Sequence, residues 1–322
     1  MAIVAVAGVL VAPHFTGQVA GRLTPAGVAT VTAGPTTCTT GSGPYYPAYD
    51  PVNHDVYVPN LDAGTITVLN GTCNLVGTIT LPTGASPEAA AFSPANNEIY
   101  VTDDSLNHVY AIQGLKVLHT VSGTDLTDPI QIVWDPGDGM MLVTNSYAGD
   151  DVVGIRGSSI VGTAPVGSFP GGLCYDPYFA TIIVVNYGSE NVTILNAIDP
   201  FGGTVANLAV GFDPEFCAFD PADDLDYVTN LGDNNVSVIT GSGLSEGSVN
   251  VGAQPMGIAW DQSNLRLYVG DQGSGNLSII SGLSVVSTVK AGIKGPEGLV
   301  LDEYTNKMYV ASFLGNKVYV ES

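Results

Sequence analysis

The chain has 322 residues, of which 12% are charged, and its 30 acidic side chains against 8 Lys and Arg give a formal charge of −22. Phosphate recognition needs clustered cations, so the charge balance argues against nucleic acid as a partner. With 40 glycines and 20 prolines among plentiful β-branched and aromatic residues, the composition favours many short strands joined by tight turns. A surface short of bases also avoids positive self-repulsion at low pH, which fits secretion into an acidic medium.

The chain opens with "MAIVAVAGVLVA". This run is too short to cross a bilayer as a helix, and it lacks the basic start of a secretory signal. We read residues 1–21 as an apolar arm in which Ile3, Val4, Val6, Val9 and Val11 belong to a strand. Such a strand aggregates unless it is paired, so the arm is expected to add to a sheet edge of a neighbouring subunit. A head-to-tail contact of this kind does not close on itself and gives a filament or a layer. A packed or membrane-associated leader is the alternative.

Residues 22–322 make the second unit. They begin with "AGVATVTAGP" at 26–35, which has the pattern of a strand. A turn pair then recurs at Asp50-Pro51, Ser93-Pro94, Asp135-Pro136, Asp176-Pro177, Asp220-Pro221, Asp261-Gln262 and Asp302-Glu303, with spacings of 43, 42, 41, 44, 41 and 41 residues. Seven residues after each Asp or Ser stands Tyr57, Tyr100, Leu142, Ile183, Tyr227, Tyr268 or Tyr309, always followed by Val. Two residues further come Asn60, Asp103, Asn145, Asn186, Asn230, Asp271 and Ser312. A loop, a third β-rich run and, in six of the units, a fourth run complete the pattern.

Four strands at a period of 40 to 45 residues mark an all-β, seven-bladed β-propeller. The seventh unit ends before a fourth strand, so the strand at 26–35 is expected to close the last blade. The "YVTN" at 227–230, its variants "YVPN", "YVTD" and "LVTN", and the following "NNVSVI" resemble the YVTN family of seven-bladed β-propellers, which is common in archaeal surface-layer and secreted bacterial proteins. The resemblance covers 22–322 and implies the fold far more specifically than any function.

Sites are sought on the face where first strands begin and where the loops between second and third strands emerge. The loops place Asp62, Asp103, Asp104, Asp150, Asp151, Glu190, Asp233 and Asp271 there. "SPEA", "DPEF" and "GPEG" set Glu88, Glu215 and Glu297 directly after the Pro that begins a first strand, with Ala48, Ile130, Gly171 and Met256 read at the same place in the other blades. Carboxylates converging at a channel mouth are candidate ligands for Ca²⁺, a hard cation that takes oxygen. No other cofactor is expected. His14, His54, His108 and His119 share no repeat position, and no nucleophile elbow, zinc cluster or phosphate loop is present. The expectation is therefore that the chain is no enzyme.

Asn70, Asn191, Asn235 and Asn276 satisfy the glycan acceptor rule, although three of them also fall on one repeat position. Cys38, Cys73, Cys174 and Cys217 allow two disulfides. Cys174 and Cys217 lie on first strands of adjacent blades, while Cys38 and Cys73 both sit around blade one. The expected function is an extracellular structural or interaction module of the cell surface that assembles with identical subunits through its N-terminal strand. The alternative is a secreted propeller that binds a ligand, glycan, surface protein or Ca²⁺ on its acidic face.

Overall fold

The computed structural model describes residues 36–147 and 149–321. After β1 (Thr36–Thr39), blade 1 holds β2 (Ala48–Asp50), β3 (Asp55–Asn60), β4 (Thr65–Asn70) and β5 (Leu75–Thr80). Blade 2 holds β6 (Pro87–Ser93), β7 (Glu98–Asp103), β8 (His108–Gln113) and β9 (Lys116–Ser122). Blade 3 holds β10 (Pro129–Asp135), β11 (Met140–Asn145), β12 (Asp151–Arg156) and β13 (Ser159–Pro165). Blade 4 holds β14 (Pro170–Asp176), β15 (Thr181–Asn186), β16 (Asn191–Asn196) and β17 (Thr204–Ala209). Blade 5 holds β18 (Pro214–Asp220), β19 (Leu225–Asn230), β20 (Asn235–Ile239) and β21 (Ser245–Asn250). Blade 6 holds β22 (Pro255–Asp261), β23 (Arg266–Asp271), β24 (Asn276–Ser281) and β25 (Ser284–Val289). Blade 7 holds β26 (Pro296–Asp302), β27 (Lys307–Ser312) and β28 (Lys317–Glu321). Each blade is an antiparallel sheet in chain order, and the outer place in blade 7 is taken by β1, paired from Thr36↔Val320 to Thr39↔Lys317.

The arm at 1–21 and the strand expected at 26–35 lie outside the described residues. The strand seen in the closing position is "TTCT", and of its side chains only Cys38 is buried.

Second strands are buried along most of their length because blades pack face to face and both sheet faces are covered. Fourth strands alternate, with burial limited to single positions such as Ile79 and Val249. Six of the seven first strands end in an Asp whose side chain builds the next turn, the exception being Ser93 in blade 2. Asp50 Oδ1 accepts the Val52 N–H at 2.8 Å, Asp176 Oδ1 that of Tyr178 at 2.7 Å, and Asp220 Oδ1 that of Ala222 at 2.8 Å. Three of the five repeated tyrosines hydrogen-bond across to a neighbouring blade. Tyr57 donates its hydroxyl to the Gly114 carbonyl at 3.1 Å, Tyr100 to Gly157 at 3.2 Å, and Tyr309 to Asn70 at 3.2 Å across the junction of blades 7 and 1. The motif asparagines are buried brackets. Asn230 Nδ2 donates to Asn235 Oδ1 at 2.7 Å and to Ser237 Oγ at 2.9 Å, while its Oδ1 accepts the Gly211 N–H at 3.1 Å.

Two disulfides staple the ring. Cys38 lies on β1, so its bond to Cys73 joins blade 7 to blade 1; the sequence had placed both cysteines at blade 1. Cys174 and Cys217 join β14 and β18 at a Cα separation of 5.7 Å, within bridging range. At the seam position blade 4 carries Ile183, which has no hydroxyl to offer, and this disulfide bridges that seam. Closing loops of 35 and 43 residues stabilises by about 4 kcal/mol each in the chain-entropy model. The two bonds are consistent with a secreted or extracellular protein. Among the described residues, no helix is long and apolar enough to cross a membrane.

Candidate functional site at the channel mouth

Counting back from the turn residue of each blade brings corresponding side chains to the propeller axis. Five residues before it stand Tyr45, Glu88, Ile130, Gly171, Glu215, Met256 and Glu297. Blade 1 therefore contributes Tyr45, not Ala48. Pro44 bridges to Asn60 as Pro87 pairs with Asp103 in blade 2, which fixes the register that Pro47 obscures. One residue further in come Tyr46 and Phe216, whose ring centroids lie 4.2 Å apart across the axis. Gly172, Gly257 and Gly298 occupy the same place in other blades. A Cβ on Gly298 would stand 2.6 Å from Tyr46 Cα, and one on Gly172 2.6 Å from Phe216 Cα, so only glycine lets the two rings seat. Together they floor the channel.

Above this floor is a cavity of about 490 Å³ walled by Tyr45, Glu88, Ile130, Gly171, Glu215 and Met256. Its rim carries Asp104, Asp128, Ser146, Tyr147, Phe169 and Tyr187. Tyr147 is 72% exposed and its ring lies 5.3 Å from that of Phe169. Phe169 has φ +50°, and its counterparts Gly43, Asp128, Asp213, Gln254 and Gly295 also lie between +50° and +65°. Glycine adopts this conformation freely and Asp at modest cost, whereas an aromatic residue there costs about 1–2 kcal/mol. The ring is held at the mouth against the preference of its own backbone, and strain of this kind clusters at functional sites.

The acids of this site are not ordinary carboxylates. Burial, reinforced by Asp104 and Asp103, raises Glu88 to about 8. Burial with Glu297 and Asp213 raises Glu215 to about 8. Burial raises Glu297 to about 7, opposed by a hydrogen bond from Gln272 Nε2 to its Oε1 at 2.5 Å. At neutral pH Glu88 and Glu215 are mainly uncharged acids able to donate a proton. The hydroxyl of Tyr46 and Oε2 of Glu297 are buried without a partner among the described residues.

The structure thus brings Glu88, Glu215 and Glu297 around the Tyr45–Tyr46 pair, whose own ionisation is pushed up by burial and by all three acids. Among the described residues, no group of three or more His, Cys, Asp or Glu is placed to hold a metal ion. Several loop acids are committed to the fold. Asp103 accepts the Ser86 N–H at 3.0 Å and the Tyr110 hydroxyl at 2.7 Å, Asp271 accepts the Gly252 N–H at 3.1 Å, and Asp150 accepts the Phe169 N–H at 2.9 Å. Sequon residues are likewise engaged. Asn191 Oδ1 accepts from Asn186 at 2.7 Å, Thr193 and Ser278 are buried, and Asn70 Oδ1 caps its own turn by accepting the Thr72 N–H at 3.1 Å. The rim aromatics Tyr147, Phe169 and Tyr187 were not singled out from sequence. Their signal is departure from the repeat at a fixed count from the motif.

Neither a family model nor a curated protein matches the sequence. Solved structures match the fold. Virginiamycin B lyase from Staphylococcus aureus superposes with TM-score 0.78 at 15% identity, covering 89% of this chain and 98% of that one. A streptogramin B lyase gives 0.77 at 13%, covering 88% and 96%. Hydrazine synthase of Kuenenia stuttgartiensis gives 0.74 at 20%, covering 92% and 99%. The fold is a seven-bladed β-propeller. At these identities the likeness reaches no further, and the narrower YVTN and surface-layer assignment is not carried by it. It does correct the expectation that the chain is no enzyme, because the same architecture serves a lyase and a synthase. The fold gives no ground for excluding catalysis, and it assigns no reaction either.

Proposed function

We propose that this protein is an extracellular binding propeller that holds a small organic ligand in the cavity at the channel mouth. The observation that carries the reading is the cavity itself, about 490 Å³ with an aromatic floor and rim and walls that include the buried Glu88 and the part-buried Glu215. Ligand sites are typically concave and apolar with a few convergent polar groups. One of the similar structures, an inactive histidine-to-alanine variant of the staphylococcal lyase, contains quinupristin (TM-score 0.77, 16% identity, 88% of this chain and 97% of that one), so the architecture accommodates small molecules. The test is a thermal-shift panel of amines, sugars and carboxylates against the native chain and Gly171→Trp, which fills the cavity from its wall. At least one compound stabilises the native protein and not the variant. A panel in which the two proteins respond alike overturns the reading.

A second reading, lateral association of identical subunits, is favoured by the outer strands, where Leu75, Val117, Leu118, Val161, Val205 and Val286 are exposed. Such unpaired edges accept added strands, and residues 1–21 are the candidate donor. Electron microscopy with and without residues 1–20 decides it. Filaments lost on truncation support assembly, and dispersed discs in both samples overturn it.

A further inference from the structure

We propose that the ligand of the channel-mouth cavity is an organic cation, a primary or quaternary amine, held between ring faces and the Glu88 and Glu215 side chains. This rests on the binding reading above and narrows it to a ligand class.

Three observations converge on it. The floor is the Tyr46–Phe216 pair and the rim the Tyr147–Phe169 pair, and aromatic faces attract a cation through the ring quadrupole, more strongly where water is displaced. Glu88 is 7% exposed, lines the cavity, and its side chain has no hydrogen bond to the described residues. A ligand in the cavity can supply the partner that the protein does not. Finally, the groups facing these acids are acidic from every side. Asp103 of β7 and Asp104 of the loop after it face Glu88; Asp213 of the preceding connector and Glu297 of β26 face Glu215; Tyr45 stands near all three glutamates. No Lys or Arg lines the cavity. An anion entering here meets the surrounding aspartates, and a neutral molecule leaves in place the repulsion that keeps Glu88 and Glu215 protonated. A cation relieves it.

A proton linkage follows. Burial and like charge hold Glu88 and Glu215 at about 8. A cation favours their ionised forms, so binding near pH 7 drives a proton into solvent, and affinity rises as pH approaches 8.

The test is isothermal titration of the full chain at pH 7 with choline and with 3,3-dimethylbutan-1-ol, its neutral carbon analogue, and in parallel with benzylamine and benzyl alcohol. Each titration is run in two buffers of different ionisation enthalpy. A cation is expected to bind about tenfold or more tightly than its neutral analogue, with a heat that changes between buffers by the amount expected for proton release. Glu88→Gln weakens that preference and reduces the proton release, leaving the share that Glu215 contributes. Tyr147→Ala, at an exposed rim position where folding is not at stake, weakens both cations. Equal or tighter binding of the alcohols overturns the cation assignment while leaving a ligand cavity. Binding of calcium chloride with no response to either amine overturns it in favour of an inorganic ion. Loss of every response, with Gly171→Trp indistinguishable from the native chain across the whole panel, sinks the binding reading itself.

Discussion

Seven residues after its turn, each blade presents Tyr in five cases and Leu142 or Ile183 in the others, whereas five residues before the turn the seven blades present Tyr45, Glu88, Ile130, Gly171, Glu215, Met256 and Glu297. The first set lies in the seams, the second at the axis. A seam side chain meets a surface that every other blade also offers, so the same residue solves the same problem repeatedly. An axial side chain shares one space with six others, and that space is filled once. Uniform positions therefore report the fold, and varied ones report what occupies the centre.

The largest effect that separates the two regions is truncation. Tyr57→Ala should lose about 3–5 kcal/mol of stability by denaturant unfolding, through lost burial and a cavity, while Tyr147→Ala stays within about 0.5 kcal/mol. Comparable losses at both positions would erase the distinction. Next come the staples. Replacing Cys38 and Cys73 together by Ser should remove about 2–4 kcal/mol, read as a fall in Tm smaller than that on reducing both disulfides of the native chain.

The seam between blades 4 and 5 sharpens the comparison because it breaks its own pattern. Asp226 stands where the other blades carry Val56, Ile99, Met141, Ile182, Leu267 and Met308. Burial and the neighbouring Asp176, through like charge and through a hydrogen bond that only the acid form of Asp226 can donate, push Asp226 up to about 9. The acid form is favoured in the folded state. Its stabilisation is thus fully present below the unfolded value near 4 and is lost as pH rises towards 9, with Glu88 and Glu215 adding to the loss on the way to 8. Tm should be highest near pH 4 and fall through neutrality. Asp226→Asn should flatten the decline and gain about 1–3 kcal/mol at pH 9; an unchanged pH profile would show that the carboxyl is solvated. Smaller again is Tyr57→Phe, which removes the bond to the Gly114 carbonyl and the one the hydroxyl accepts from Asn53 Nδ2 and should cost about 1–2 kcal/mol.

Repetition also explains what could be read from the sequence. The turn acids, the tyrosines and the bracket asparagines recur, and each copy corroborates the others, so blade number and strand order follow from spacing. The closing strand does not recur in that form. "TTCT" has one buried residue and no alternating apolar pattern, so the better-looking strand at 26–35 drew the assignment. In blade 1 the short β2 and Pro47 hid Tyr45 behind Ala48. The glutamates were visible because three blades share them, but the floor needed a meeting of Tyr46 with Phe216 from blades far apart in sequence. Phe169 was invisible for a different reason, since only the backbone angle reveals that a phenylalanine sits where glycine belongs.

That residue offers the most direct measurement of whether axial departures serve binding and not the fold. Phe169→Gly installs the residue that Gly43 and Gly295 supply at the same place, without adding charge to the mouth. Relief of the left-handed aromatic should leave stability unchanged or raise it by about 1 kcal/mol, while ligand-induced thermal shifts diminish. A loss of more than about 1 kcal/mol, with ligand response intact, would make Phe169 a structural residue and contradict the assignment of the channel mouth as the functional site.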